Sequence, residues 1–216
     1  MSIGQSDAKW LKKVFKYYDL TKELLIYGEQ VDPESKTSIQ AINELRNCLD
    51  HLMRVAGYRV GLHAQGEGEE YVTTNFDKSF SHLYRAAYDT LDWVALTIKK
   101  RVLSEIKDYS PDTIAAVIPN YYSDLRPRFE TILNKEIVTL RAEKDVAVKN
   151  EENLVECAGL ISELKSTLDI LIDKKSALVE HHKALKRQRW QGWVITGVIA
   201  LGVTTVGTLI AWFIIN

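Results

Sequence analysis

The sequence predicts an all-α protein with a helical bundle head, a long coiled-coil-like helix and a single C-terminal transmembrane helix. Apolar residues recur at intervals of three and four along most of the chain, as they do on one face of a helix. No two-residue hairpin turn stands between runs of alternating apolar residues, and residues 193–215 carry no charge. We therefore divide the chain into a head (residues 1–110), a helical connector (111–190) and an anchor (191–216).

Composition excludes two broad classes of protein. The chain has 216 residues, with 28 Lys and Arg against 29 Asp and Glu. This balance is typical neither of a disordered chain nor of a protein that binds nucleic acid through its overall charge. The two cysteines, Cys48 and Cys157, cannot form a disulfide framework and lack zinc-ligand spacing. We expect no metal site, no cofactor and a reducing compartment for the residues before the anchor.

Three helices are predicted in the head. They cover about residues 7–28, 38–58 and 77–110, and Gly- or Pro-containing segments separate or end them. An amphipathic helix buries its apolar face. For the second helix this face is composed of Ile39, Ile42, Leu45, Leu49, Leu52 and Val55.

The connector carries a heptad pattern, which is typical of a coiled coil or a long bundle helix. Successive a and d positions are Leu154, Cys157, Ile161, Leu164, Leu168, Leu171, Lys175, Leu178, His182 and Leu185. We interpret Ile161, Leu164, Leu168 and Leu171 as the tightest layers of an association seam between chains. Two arrangements remain open: residues 128–191 form either a straight stalk of about 95 Å or a hairpin that bends near residues 149–153.

The anchor has the length and flanks of a membrane span. Trp193 and Trp212 are separated by about 28 Å of helix, so that each indole reaches one membrane interface. Basic residues, among them Arg187 and Arg189, precede the apolar stretch and favour a cytoplasmic location for that side. The sequence therefore predicts a single-pass protein of the inner (cytoplasmic) membrane with its head in the cytoplasm.

One face of the anchor is composed of small residues. Gly197, Ala200, Thr204 and Thr208 recur at intervals of three and four. Such a stripe lets membrane helices approach closely, which favours a homo-oligomer that associates through this face. A pore lining and an ordinary lone anchor are the alternatives.

One motif in the head suggests catalysis. The second helix contains Arg46 and Asn47, followed after three residues by His51. This pattern resembles the Arg-x4-6-His motif of HEPN domains, small all-helical and often dimeric bundles. Many HEPN proteins are metal-independent ribonucleases of bacterial toxin–antitoxin and antiphage systems. The resemblance implies that His51 is the acid or base and that Arg46 stabilises the phosphate, with RNA or a nucleotide signal as partner.

The same residues also allow a non-catalytic interpretation. Arg46, Asp50 and Arg54 form a ladder of charges at intervals of four, and a regular helix places Arg46 about 140° from His51. The third helix carries a second polar stripe that includes His82 and Arg85. Two helices of this kind are expected to be solvated, or to face each other across an interface or a nucleotide site.

Three functions are consistent with this organisation. The first is a bacterial defence or stress effector that oligomerises and perturbs the inner membrane, similar in outline to small HEPN-like membrane accessory proteins of RNA-targeting CRISPR systems. The second is a membrane-tethered ribonuclease that uses Arg46, Asn47 and His51. The third is a tail-anchored coiled-coil adaptor for a protein partner. The membrane is a partner in all three.

Overall fold

The structure, a computed structural model, describes residues 4–62, 68–142 and 151–215. Throughout these ranges the regular elements are helical and none is a strand, which confirms the all-α prediction. The helices are α1 (Gln5–Val31), α2 (Ile39–Arg59), α3 (Glu69–Ile106), α4 (Pro111–Val117), α5 (Arg126–Thr131), α6 (Ile137–Ala142), α7 (Glu151–Asp173) and α8 (Lys175–Ile215). Two π-helical turns, Tyr121–Leu125 and Ile132–Glu136, adjoin α5.

Local signals explain where two of these helices begin. The hydroxyl of Ser38 accepts a hydrogen bond from the amide of Ala41 and caps α2. Ser110 caps α4 in the same way, and Pro111 follows in the first turn. Helix α3 begins earlier than predicted, because Val72 extends its buried stripe by a further turn.

Helix α3 is the centre of a bundle that we define as α1, α2, α3 and α7. Helix α1 lies parallel to α3, since Trp10 stacks on Phe76 and Tyr17 packs on Phe80 further along. The two helices approach closely at Gly28, where a Cβ atom would lie 2.1 Å from the ring of Trp93. Helix α2 is antiparallel to α3, because Glu44 contacts His82 whereas His51, further along α2, contacts the earlier Asn75.

The face that α2 buries differs from the predicted one. Ala41, Cys48 and Val55, at intervals of seven, are buried against the bundle, whereas Ile39 and Leu49 are exposed. The predicted face was too wide for one neighbour to cover. The small side chains of Ala41 and Cys48 allow close packing on α3, which turns the larger apolar residues outward.

The connector folds back as a hairpin, and the stalk alternative is wrong. The guanidinium of Arg128 lies 2.9 Å from the carboxylate of Glu163, two residues that a straight helix would separate by about 50 Å. The predicted bend near residues 149–153 lies in part outside the described residues, and residues 151–153 belong to α7. Helix α7 then packs along α3.

The heptad face of α7 is therefore used within the chain. The four side chains interpreted as an association seam, Ile161, Leu164, Leu168 and Leu171, are each at most 3% exposed. They share one core cluster with residues of α1, α2 and α3, so the core includes side chains on both sides of residue 110. In this fold they are not available to a second chain. A heptad face can pack on a helix of the same chain or on one of a second chain, and here it packs on α3 of the same chain.

Cys157 lies in the same buried face. Burial, with smaller effects from Asp92 and Glu156, raises the pKa of its thiol to about 11. The thiolate that would react with a second chain is thus scarce at neutral pH. Cys157 serves as a packing residue.

Helix α8 begins in the bundle core and leaves it without a break. Leu178 is fully buried, Lys175 forms an ion pair with Glu105 at 2.8 Å, and the ring of His182 packs on Tyr109. Among the residues whose side chains are described, α8 is the helix long and apolar enough to cross a membrane. We call residues 193–215 the span.

Three of the four predicted membrane-interface residues have described side chains, and all three are exposed on α8. Arg187 and Arg189 are exposed just before the span, and Trp193 is exposed at its start, whereas the side chain of Trp212 is outside the described part. In the small-residue stripe, which also contains Gly197, the hydroxyls of Thr204 and Thr208 donate to the carbonyls of Ala200 and Thr204. Both threonines therefore satisfy their hydroxyls within the helix.

Candidate functional site

A polar cluster lies between α2 and α3. It is composed of Glu44, His51, Asn75, His82 and Arg85, and we call it the paired-histidine cluster. The two imidazole rings stack with centroids 5.3 Å apart and an interplanar angle of 19°. The polar stripes of the second and third helices thus face each other within one chain.

The orientation of His51 is fixed by an amide. Asn75 is buried, and its Nδ2 donates to the carbonyl of Tyr71 at 2.9 Å. Its Oδ1 therefore faces Nδ1 of His51 at 2.8 Å and accepts a hydrogen bond from it. The tautomer that this bond selects leaves Nε2 of a neutral His51 as an acceptor.

His82 has two competing partners at one atom. Its Nδ1 lies 2.7 Å from Oε2 of Glu44 and 2.7 Å from Nη2 of Arg85. A protonated Nδ1 donates to the carboxylate, whereas an unprotonated one accepts from the guanidinium. Arg85 also donates from Nε to Glu44 at 3.1 Å, so the carboxylate contacts both the guanidinium and the imidazole.

The cluster has an internal pseudo-twofold symmetry. The sequence His-Leu-x-Arg occurs at His51 on α2 and again at His82 on α3. Each histidine bonds the residue seven positions before the other histidine: His51 bonds Asn75, and His82 bonds Glu44. This repeat, with a polar residue two helical turns earlier in each copy, is the signal that would have located the cluster in the sequence.

Glu44 is the electrostatic centre of the cluster, and its removal tests the contribution of the cluster to folding. Burial raises the pKa of Glu44, but the hydrogen bonds from His82 and Arg85 outweigh it and leave the pKa below its usual value. We expect Glu44→Ala to lower the free energy of unfolding by about 1–3 kcal/mol at neutral pH, because two partners lose their acceptor. Thermal unfolding followed by circular dichroism measures this loss.

The sign of the pH dependence follows from the lowered pKa. The stabilisation by Glu44 is complete above the pKa of the unfolded chain and is lost as the pH falls through the folded-state pKa. The difference between the wild type and Glu44→Ala should thus shrink in acid. Glu130→Ala is the matched control, since Glu130 forms an exposed ion pair with Arg126 one turn earlier on the same helix and its loss should cost under about 0.5 kcal/mol. Equal losses in the two variants would contradict this account.

The structure does not bring Arg46 and His51 together. Arg46 is exposed and lines a groove between α1 and α2, whereas His51 points to α3 and Asn47 is half-buried beside them. This separation agrees with the angle of about 140° that a regular helix imposes. In this conformation the two side chains of the motif point to different sides of α2.

The groove beside Arg46 is apolar and was not anticipated. It has a volume of about 970 Å³ between α1 and α2, and most of its surface is contributed by exposed aliphatic and aromatic side chains. Its principal residues are Leu11, Lys12, Phe15, Tyr18, Ile42, Arg46, Leu49 and Leu52. Among the described residues no group of three or more His, Cys, Asp or Glu side chains has the geometry of a metal site.

Comparisons with family models, with curated proteins and with solved structures find no match to this chain. The resemblance to HEPN domains therefore depends on Arg46, Asn47 and His51 alone and stays a hypothesis.

Proposed function

We propose that the protein is an oligomerising, single-pass effector of the bacterial inner membrane. In this proposal it perturbs the bilayer in defence or stress, and the bundle lies in the cytoplasm. The excess of Lys and Arg just before the span supports this orientation, because such residues are retained on the cytoplasmic side.

The observation that carries the proposal is the continuity of α8. One helix includes Leu178 in the bundle core and Trp193 at the start of the span, without a flexible linker between them. A change in the bundle is therefore transmitted directly to the span.

Dye release from lipid vesicles tests the proposal. We expect the full chain to release carboxyfluorescein from vesicles of phosphatidylethanolamine and phosphatidylglycerol, because a span coupled to associating bundles disturbs lipid packing. A chain that ends at Gly192 should release none, since it lacks the span. Absence of release by the full chain, under conditions in which it inserts into the vesicles, would contradict the proposal.

The other two functions predict different outcomes in the same preparation. Insertion without dye release would favour a tail-anchored adaptor. Cleavage of RNA by the wild type that His51→Ala abolishes would favour a ribonuclease. The positions of Arg46 and His51 on different sides of α2 give the ribonuclease less support than the continuity of α8 gives the effector.

A further inference from the structure

Helix α2 exposes a second heptad stripe along its whole length. Its members, at alternating intervals of three and four, are Ile39, Ile42, Arg46, Leu49 and Met53, and Val60, just past the end of the helix, continues the stripe. The five apolar side chains named are between 42% and 71% exposed. On α1 the exposed residues Leu11, Phe15 and Tyr18 continue the apolar surface across the groove. We call these two stripes together the α1–α2 face.

From the α1–α2 face we infer that a second copy of this chain covers it, with α1 of each copy packed against α2 of the other. The inference rests on the proposed function, because it names the contact through which the effector associates. It replaces the heptad face of α7, which the bundle uses for itself. A single charged residue in an apolar heptad, here Arg46, is a known device for fixing register.

The size of the α1–α2 face suits a stable dimer. Helix α2 is 21 residues long, which corresponds to about 30 Å of stripe. Two neighbouring helices present a surface roughly 20 Å wide. The resulting area of about 600 Å², before side-chain relief is counted, is comparable to the approximately 800 Å² that each partner buries in a standard interface.

Charge at one end of the α1–α2 face is self-complementary. Lys12 lies two residues after Trp10, which stacks on Phe76 of α3. Asp50 lies one residue before His51, which forms a hydrogen bond with Asn75 of α3. The positions of Lys12 and Asp50 along the bundle axis thus differ by no more than about 3 Å. A twofold axis parallel to the bundle leaves the position of every residue along the bundle unchanged. Because α1 of one copy faces α2 of the other, Lys12 of one copy then lies opposite Asp50 of the other.

The second pair of charges obeys the same rule. Asp19 lies two residues after Tyr17, which packs on Phe80. Arg46 lies two residues before Cys48, whose Sγ is 3.2 Å from Oγ of Ser79 on α3. Asp19 and Arg46 therefore share a level to within about 3 Å. Opposite charges meet at both levels, whereas a uniformly acidic partner would leave Asp19 and Asp50 opposed by like charge.

The direction of the span agrees with this symmetry. An axis parallel to the bundle leaves α8 of both copies running the same way, so both spans enter one membrane.

Charge exchange tests the pairing. The mass of the full chain in detergent, corrected for bound detergent, should correspond to two chains or a multiple of two. Arg46→Asp should at least halve the mass, because it places two carboxylates together. Adding Asp19→Arg to Arg46→Asp should restore the wild-type mass. Failure of the double variant to reassociate, with helicity intact by circular dichroism, would overturn the pairing.

A matched pair of apolar substitutions tests the α1–α2 face itself. Leu49 and Leu96 are 56% and 57% exposed, but only Leu49 lies on the face. Leu49→Glu should at least halve the mass, and Leu96→Glu should leave it unchanged. A monomeric wild type, or a mass that Leu49→Glu does not change, would overturn the inference. If the wild type releases dye but neither variant changes in mass, the effector proposal stands and only this contact is rejected.

Discussion

Replacement of Leu164 by aspartate is expected to unfold the bundle rather than to separate two chains. Leu164 is fully buried on α7, in the core cluster that joins α7 to α3. Truncation of such a leucine costs about 2–5 kcal/mol, and an unpaired carboxylate in its place costs more. A loss of this size is comparable to the whole stability of a typical domain. We expect circular dichroism of the full chain in detergent to show a large loss of helix outside the span, or a melting transition at least about 15 °C lower.

Val155→Asp is the control for this experiment. Val155 lies on the same helix but is 53% exposed, so the same change should cost under about 0.5 kcal/mol. If Leu164→Asp keeps the wild-type melting transition while the mass of the complex falls, α7 is an intermolecular seam and the hairpin arrangement is incorrect.

The three head helices, α1 to α3, followed from the sequence because apolar spacing, prolines and glycines are local signals. The core of α7 illustrates the limit of such signals. The stripe from Leu154 to Leu171 was found correctly, but a heptad only requires a complementary helix and does not say which chain supplies it. The ion pair of Arg128 with Glu163, which shows the reversal, is a long-range contact that no spacing rule predicts.

Helix α2 shows a second limit. Its apolar residues cover more than half of its circumference, so the hydrophobic pattern did not determine which side packs on α3. Ala41 and Cys48 decided this, because small side chains permit the closest approach. The outward position of Leu49 and Arg46 followed, and with it the separation of Arg46 from His51.

The paired-histidine cluster was predicted only in part. The sequence placed His82 and Arg85 on a polar stripe that was expected to be solvated or to face another polar helix. Their bonds to Glu44 depend on the antiparallel register of α2 and α3, which is set by contacts far apart in the sequence. The pseudo-twofold repeat would have indicated that register. Two copies of one motif on antiparallel helices are related by a local twofold axis, which places the two histidines side by side.

The second large effect concerns the part of α8 between bundle and span. Gln188 is exposed and has left the bundle, so it contributes to neither the core nor the span. Proline at this position removes a backbone hydrogen bond and breaks or bends the helix at a cost of about 3 kcal/mol. The bundle and the span remain folded on either side of the break, but they lose their rigid connection. Gln188→Ala is the control, because alanine keeps the helix and removes the same side chain.

Dye release by these two variants tests most directly whether the continuous helix couples the bundle to the membrane. With equal amounts of protein inserted into the vesicles, we expect Gln188→Pro to release dye at least about tenfold more slowly than Gln188→Ala, whose rate should equal that of the wild type. Equal rates for Gln188→Pro and Gln188→Ala would contradict the account, because they would show that the span acts independently of the bundle.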